Sequence, residues 1–66
     1  VLAIWQARVE KNPNVIKNYI GLGASYLLVG QRTKAIEAIE KVIELDPSFK
    51  EQGEYYIREI RAGRNP

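Results

Sequence analysis

One stretch of eight residues constrains the fold of this chain more than any other. It runs from Tyr19 to Tyr26 and places Leu22 and Gly23 between the two tyrosines. Residues three and four apart lie on the same face of an α-helix, so these four residues form one stripe. A glycine inside a helix costs about 1 kcal/mol relative to alanine. We therefore expect a second helix to pack closely against Gly23, where a larger side chain would hold it away.

The next periodic segment supplies a partner for this close crossing. Residues 31–45 carry Ala35 and Ile39 on an apolar face, and Pro47 follows the segment. This succession resembles the tetratricopeptide repeat (TPR) family, whose pattern is an aromatic, Leu-Gly, Tyr, then Ala, an aromatic and Pro. The resemblance implies an all-α fold of antiparallel helix-turn-helix repeats, a fragment of an α-solenoid. We assign the packing of the helices to eight residues: Trp5, Tyr19, Leu22, Gly23, Tyr26, Ala35, Ile39 and Pro47.

An offset of 34 residues extends the resemblance toward the N-terminus. Trp5 and Pro13 each stand 34 positions before Ile39 and Pro47, and 34 residues is the TPR period. The chain is therefore interpreted as one TPR-like domain, residues 1–66, and as a piece of a longer protein. Its predicted parts are the second helix of a preceding repeat (1–14), a complete repeat (15–47) and a capping helix (48–63).

Proline, glycine and capping residues set the predicted helix boundaries. The pattern predicts helices near residues 1–11, 15–29, 32–45 and 48–62, and no strand. Asn14 is expected to cap the second helix, and Gly30 is expected to end it in a left-handed conformation. Ser48 and Glu51 have the spacing of a capping box at the start of the last helix.

The composition argues against several classes of function. Cysteine and histidine are both absent, which removes thiolate metal sites and the commonest general base. A net charge of +2 is too small to indicate nucleic-acid binding, and no apolar run reaches the length of a membrane span. We therefore expect no enzyme activity, no cofactor, no metal, no nucleic-acid partner and no membrane insertion. The lack of cysteine leaves the compartment undecided, with the cytoplasm slightly favoured.

The resemblance implies a protein or peptide as partner, because the first helix of each TPR lines a concave groove. Carried over by position, that groove would contain Lys17, Ile20, Gly21, Ala24, Leu27, Leu28, Glu51, Tyr55 and Arg58. Some family members hold the carboxylate end of chaperone tails with lysine and asparagine in the groove. Ile20 and Ala24 stand at such positions here, so an apolar or helical ligand is favoured. Gly21 is expected to face the groove and to tolerate a larger residue.

The sequence leaves two other functions open. The chain could be a structural spacer or self-assembly element that stacks on copies of itself or on further repeats. It could also be a regulatory appendage of a larger enzyme. The helix that carries Trp5 and Val9 lacks the partner helix of a complete repeat. We therefore expect self-association through this exposed N-terminal helix, since such arrays need about three repeats to bury a continuous core.

Overall fold

A computed structural model describes all 66 residues and contains four α-helices and no strand. The helices are α1 (Leu2–Lys11), α2 (Ile16–Leu28), α3 (Arg32–Leu45) and α4 (Lys50–Arg61), with one 3-10 turn (Pro47–Phe49) before α4. Each helix begins and ends within two residues of its predicted position. The prediction of an all-α fold built from antiparallel helical hairpins is confirmed.

The four helices follow one another in space in the order of the chain. α2 packs against α1 on one side and against α3 on the other, and α4 packs against α3. The Cα atoms extend over 31 × 27 × 13 Å, so the helices form a thin layer. Only 10 of the 66 residues are buried in this layer, and much of each helix surface is open to contact with another molecule.

The largest buried cluster lies where α2 meets α3. Tyr19 and Leu22 of α2 pack there with Ala38 and Val42 of α3. The Tyr19 hydroxyl also donates a hydrogen bond of 2.6 Å to the carbonyl oxygen of Pro13, which ties the α1–α2 loop to the cluster. The partly buried side chains that extend the cluster are Leu2, Trp5, Val9, Ile16, Tyr26, Leu45 and Phe49.

Gly23 lies at a close crossing of α2 and α3. A Cβ atom built on Gly23 would lie 3.5 Å from the Cβ of Ala38 and 3.6 Å from the carbonyl oxygen of Ala35. These are ordinary van der Waals distances, and Ala35 is fully buried. The crossing therefore has room for a methyl group at position 23 but would have to open for a much larger side chain.

Gly21 does not face an open groove, and the prediction that it tolerates a larger residue is wrong. The indole ring of Trp5 covers it, and a Cβ atom at position 21 would overlap three atoms of that ring. The reason is the size of the indole, which fits between α1 and α2 only because position 21 has no side chain. On the same ring, the Arg8 guanidinium lies 4.6 Å from the centroid, at cation–π distance.

Two predicted N-terminal caps are also wrong. The capping position of α2 is Val15, not Asn14, and no side chain caps this helix. Ser48 donates hydrogen bonds from its backbone N–H and its hydroxyl to Oδ1 of Asp46, at 3.1 and 2.6 Å. Asp46 therefore caps the 3-10 turn of residues 47–49, and α4 begins only after that turn.

The C-terminal glycines end their helices in the expected way. Gly30 has a φ of +79°, and its N–H bonds to the carbonyl of Leu27 at 3.0 Å. The N–H of Gln31 bonds to the carbonyl of Tyr26 at 2.9 Å, which completes a Schellman motif. Gly63, with a φ of +84°, ends α4 with the same pair of bonds. Glycine suits both positions because it adopts a positive φ without strain.

Candidate functional site

An apolar cleft separates α2 from α4. Both helices pack against α3 but do not contact each other, so α3 forms the floor of the space between them. The cleft has a volume of about 240 Å³ and is mainly apolar. Its lining residues are Ile20, Gly23, Ala24, Ile39, Val42, Phe49, Tyr56 and Pro66.

The α2 wall of the cleft contains two of the residues that the sequence assigned to a groove. Ile20 and Ala24 are one helical turn apart, and both are exposed, with 47% of the Ile20 surface accessible. Lys17, Leu27 and Leu28 do not line the cleft, although they belong to the same helix. Leu28 is 87% exposed at the C-terminal end of α2. The apolar surface of α2 thus continues beyond the cleft.

The wall opposite α2, called the α4 wall below, is aromatic and is formed by Phe49 at the end of the 3-10 turn and Tyr56 of α4. The rings of Phe49 and Tyr56 lie with their centroids 6.1 Å apart and their planes at 45°, within the range of favourable aromatic pairs. Gln52 donates a hydrogen bond of 2.8 Å to the Tyr56 hydroxyl and holds the end of that ring. Neither aromatic residue was predicted from the sequence to line the groove. Their wall combines a flat apolar surface with one polar hydroxyl group.

The three residues of α4 that the sequence assigned to the groove lie elsewhere. Glu51, Tyr55 and Arg58 line a separate shallow depression together with Ser48 and Gln52. The reason is the rotation of the helix. Consecutive residues are about 100° apart around an α-helix. The side chain of Tyr55 therefore points in a different direction from that of Tyr56, which lines the cleft. The predicted groove is therefore divided, because its α2 residues and its α4 residues line different surfaces.

The other residues assigned to helix packing occupy different environments. Tyr26 is partly buried, and its hydroxyl accepts a hydrogen bond of 3.4 Å from Gln6 of α1. Ile39 is partly buried and contributes to the floor of the cleft. Trp5 is partly buried against α2, whereas Pro47 is exposed at the start of the 3-10 turn.

The segment after α4 folds back toward the cleft. This segment, residues 63–66, is called the tail below. Arg32, the first residue of α3, donates hydrogen bonds of 3.0 to 3.2 Å to the carbonyls of Ile60, Gly63 and Arg64 and to Oδ1 of Asn65. Nothing in the sequence pattern indicates these contacts, because they join residues that are far apart in the chain.

One ion pair fastens the tail to α4. The Arg64 guanidinium donates two hydrogen bonds of 2.8 Å to the two carboxylate oxygens of Glu59. These bonds lower the pKa of the Glu59 carboxyl, and the positive charges of Arg64 and Arg58 act in the same direction. The same hydrogen bonds raise the pKa of Arg64. The pair is therefore fully charged at neutral pH.

The structure contains no group of three or more acidic side chains placed to hold a metal ion. No helix combines the length and the hydropathy that crossing a membrane requires. The cleft itself has no ionisable lining side chain other than the Tyr56 phenol, so it can offer contact to apolar groups and a hydrogen bond at its edge.

Comparison with known proteins gives one informative similarity. No family model matches the chain, and no solved structure matches it either. The chain is similar to the general transcriptional corepressor CYC8 of Saccharomyces cerevisiae, with 47% identity over 47 residues. The match covers 71% of this chain but only 5% of the corepressor, so the chain spans a small part of its relative. Together with the antiparallel hairpins, the similarity supports a TPR-like helical repeat.

Proposed function

We propose that this chain is a protein-interaction module and that its cleft between α2 and α4 receives an apolar side chain of a partner protein. In this proposal residues 15–47 are one complete repeat. Residues 1–14 are the second helix of a preceding repeat, and residues 48–63 are a capping helix. No catalytic group, cofactor or nucleic acid takes part in this function.

The exposure of Ile20 is the observation that carries the proposal. Ile20 is a large aliphatic side chain that is 47% exposed and faces an apolar cleft. When a partner covers such a side chain, apolar surface leaves water and the free energy of the complex falls. Full burial of such a side chain contributes about 1.5–3 kcal/mol. Exposed apolar surfaces that polar residues surround commonly mark interaction sites. Lys17 is exposed on α2 one helical turn before Ile20 and can orient the polar part of a partner.

The similarity to a corepressor supports the same function. A corepressor, as the name says, represses transcription together with another factor, and this requires contact between proteins. The region similar to CYC8 covers 71% of this chain. We propose a protein partner for this chain on that basis, without assigning it to transcription.

A peptide selection combined with nuclear magnetic resonance tests the proposal. Random twelve-residue peptides displayed on phage would be selected on the immobilised chain, and a selected peptide would be titrated into ¹⁵N-labelled protein. The amide shifts should concentrate at Ile20, Ala24 and Tyr56. Ile20→Glu should weaken binding about tenfold or more, because about 1.4 kcal/mol corresponds to a factor of ten.

Leu28→Glu is the matched control for Ile20→Glu. It places the same carboxylate on the same helix, at a residue that is more exposed and lies outside the cleft. We expect Leu28→Glu to bind the peptide as the wild type does, and circular dichroism should show both variants folded. Equal binding by Ile20→Glu and the wild type would show that the cleft is not the binding surface.

Self-association is a second candidate function, favoured by the exposure of α1. This helix has no buried residue, and Val1 and Ile4 are 76% and 52% exposed. Sedimentation equilibrium over a range of concentrations should show a dimer that Ile4→Glu dissociates. Tyr55→Glu, at an exposed position of α4, should leave the dimer intact. A monomer at every concentration would contradict this second function and leave the first unaffected.

A further inference from the structure

We infer that the tail, residues 63–66, is an intramolecular lid on the cleft and that Arg32 holds it closed. The inference rests on the proposed function, because it concerns the regulation of the same cleft. Its starting point is the position of Pro66, which lines the cleft together with Ile20 and Tyr56. A residue of the tail therefore forms part of the lining of the cleft that a partner would use.

The hold of Arg32 on the tail depends on the planar shape of its guanidinium. One terminal nitrogen donates to the carbonyls of Ile60 and Arg64, and the other donates to the carbonyl of Gly63 and the side chain of Asn65. A lysine ammonium cannot present donors in this fixed fork. The arrangement also places a positive charge at the C-terminal end of α4, where the helix dipole favours it.

Two features set the path of the tail: the backbone conformation of Gly63 and the ion pair of Arg64. Gly63, in the left-handed conformation, reverses the chain at the end of α4. The bidentate pair between Glu59 and Arg64 then holds the next residue against the helix. Only Asn65 separates this pair from Pro66. The hydrogen bonds from Arg32 and the Glu59–Arg64 pair together therefore direct the proline ring toward the cleft.

The hydrogen bonds from Arg32 and the Glu59–Arg64 ion pair, which hold the tail, can break and re-form. All the bonds from Arg32 except the one to Ile60 lie at exposed positions, and so does the Glu59–Arg64 pair. Water competes with hydrogen bonds in such positions, and exposed ion pairs contribute little to stability. A lid of this kind opens and closes without unfolding the helices. A partner then binds only the open fraction, and its apparent affinity is reduced by that fraction.

The first experiment detects the lid without any partner. Nuclear Overhauser contacts between the Pro66 ring and the rings or methyl groups of Tyr56 and Ile20 should appear in the wild-type chain. They should disappear in Arg32→Ala and weaken in Arg32→Lys, which keeps the charge but loses the fork. Arg61→Ala is the matched control, since Arg61 is exposed on α4 and makes no hydrogen bond to the tail. Absence of these contacts in the wild type would overturn the inference.

The second experiment measures access to the cleft with the anionic dye 8-anilinonaphthalene-1-sulfonate. If the tail is closed for about four-fifths of the time, its release should tighten dye binding about fivefold. We expect this gain in Arg32→Ala and in Pro66→Gly, which removes the ring but leaves Arg32 intact. The loss of a positive charge alone would weaken binding of an anion, so a gain in Arg32→Ala cannot come from charge.

The outcomes separate the lid from the proposed function. The dye measurements apply at temperatures where circular dichroism shows each variant fully folded, since unfolded chains also bind the dye. Dye binding by Pro66→Gly no tighter than by the wild type would overturn the lid. Peptide binding that survives Ile20→Glu would instead refute the proposed function, while the contacts of Pro66 would still stand.

Discussion

Alanine substitutions at two glycines of α2 should change stability in opposite directions. In a helix interior, alanine is more favourable than glycine by about 1 kcal/mol. At Gly23 the new Cβ atom would be 3.5 Å from the Cβ of Ala38, an ordinary contact that needs no rearrangement. Most of the stability that alanine adds through its higher helix propensity should therefore be retained. We expect Gly23→Ala to raise the free energy of unfolding by about 0.5–1 kcal/mol.

Gly21→Ala meets a different environment. Its Cβ atom would overlap the Trp5 ring, so the indole or the whole of α1 must move away from α2. Overpacking of this kind typically costs about 1–3 kcal/mol, which exceeds the helix-propensity gain. Movement of α1 is the easier response, because this helix has no buried residue to hold it. We expect a net loss of about 1 kcal/mol.

Thermal unfolding followed by circular dichroism measures both effects. For a domain of this size, 1 kcal/mol corresponds to a shift in Tm of roughly 4–8 °C. Gly23→Ala should therefore raise Tm, and Gly21→Ala should lower it. The fluorescence of Trp5 provides a second measurement, because the emission should shift to longer wavelength only in Gly21→Ala, where the indole leaves its contact with α2.

A double-mutant cycle isolates the cause. In a Trp5→Ala background the ring is absent, so Gly21→Ala should become stabilising, as the substitution at Gly23 is. The difference between the two backgrounds is the coupling between positions 5 and 21, which are in contact in the structure. The reasoning would be refuted if Gly21→Ala stabilised the chain that retains Trp5.

Four further substitutions or conditions test separate parts of the structure by the same unfolding assay or by nuclear magnetic resonance. Gly30→Ala should lose about 1–2 kcal/mol, because a residue with a Cβ is strained at a φ of +79°. Tyr19→Phe should lose about 0.5–1.5 kcal/mol, since it removes the hydrogen bond to the α1–α2 loop. Ile60→Val, at a residue that is 1% exposed, should lose about 0.5–1.5 kcal/mol. Glu59 has a lowered pKa, so its pair with Arg64 stabilises the tail above the ordinary carboxyl pKa and is lost as pH falls through the lowered value. Acid titration followed at the Nε–H resonance of Arg64 should detect this release.

The helices were predictable because their signals are local. The apolar residues of α2 and α3 recur at helical spacing, and Gly30 or a proline marks each end. The capping residues were less predictable. Asp46, Ser48 and Glu51 offer competing hydrogen-bond acceptors within six residues, and the bonds formed by Asp46 decide where the turn begins.

The cleft could be predicted only in part, because its α4 wall depends on long-range packing. The positions of Ile20 and Ala24 follow from the face of α2 that packs on α3. The rotation of α4, however, is set by how Gly53 and Ile57 fit against α3. The side chain of Ile43 fills the space beside Gly53, where a Cβ atom would lie 2.7 Å from the Ile43 Cδ1. This contact between Ile43 and Gly53 joins two helices, so no local sequence pattern predicts it. The contact sets the rotation of α4 that turns Tyr56 toward the cleft.

The two ends of the helical layer differ in a way that bears on assembly. Gly23 lets α3 approach α2 closely, whereas the residue 34 positions later is Ile57, whose side chain leaves no such gap at that position of α4. The outer face of α4 also carries exposed charged residues, which suits the proposed capping role. By contrast, α1 exposes Val1 and Ile4. On α4 the one large apolar side chain that is exposed is Tyr55, at 47%, and it stands among charged residues. Association through two α1 surfaces is isologous and closes at a dimer, whereas stacking of α1 on α4 would continue into a filament. In the proposed self-association, the more apolar α1 surfaces would pair with each other and give a closed dimer rather than an open fibre.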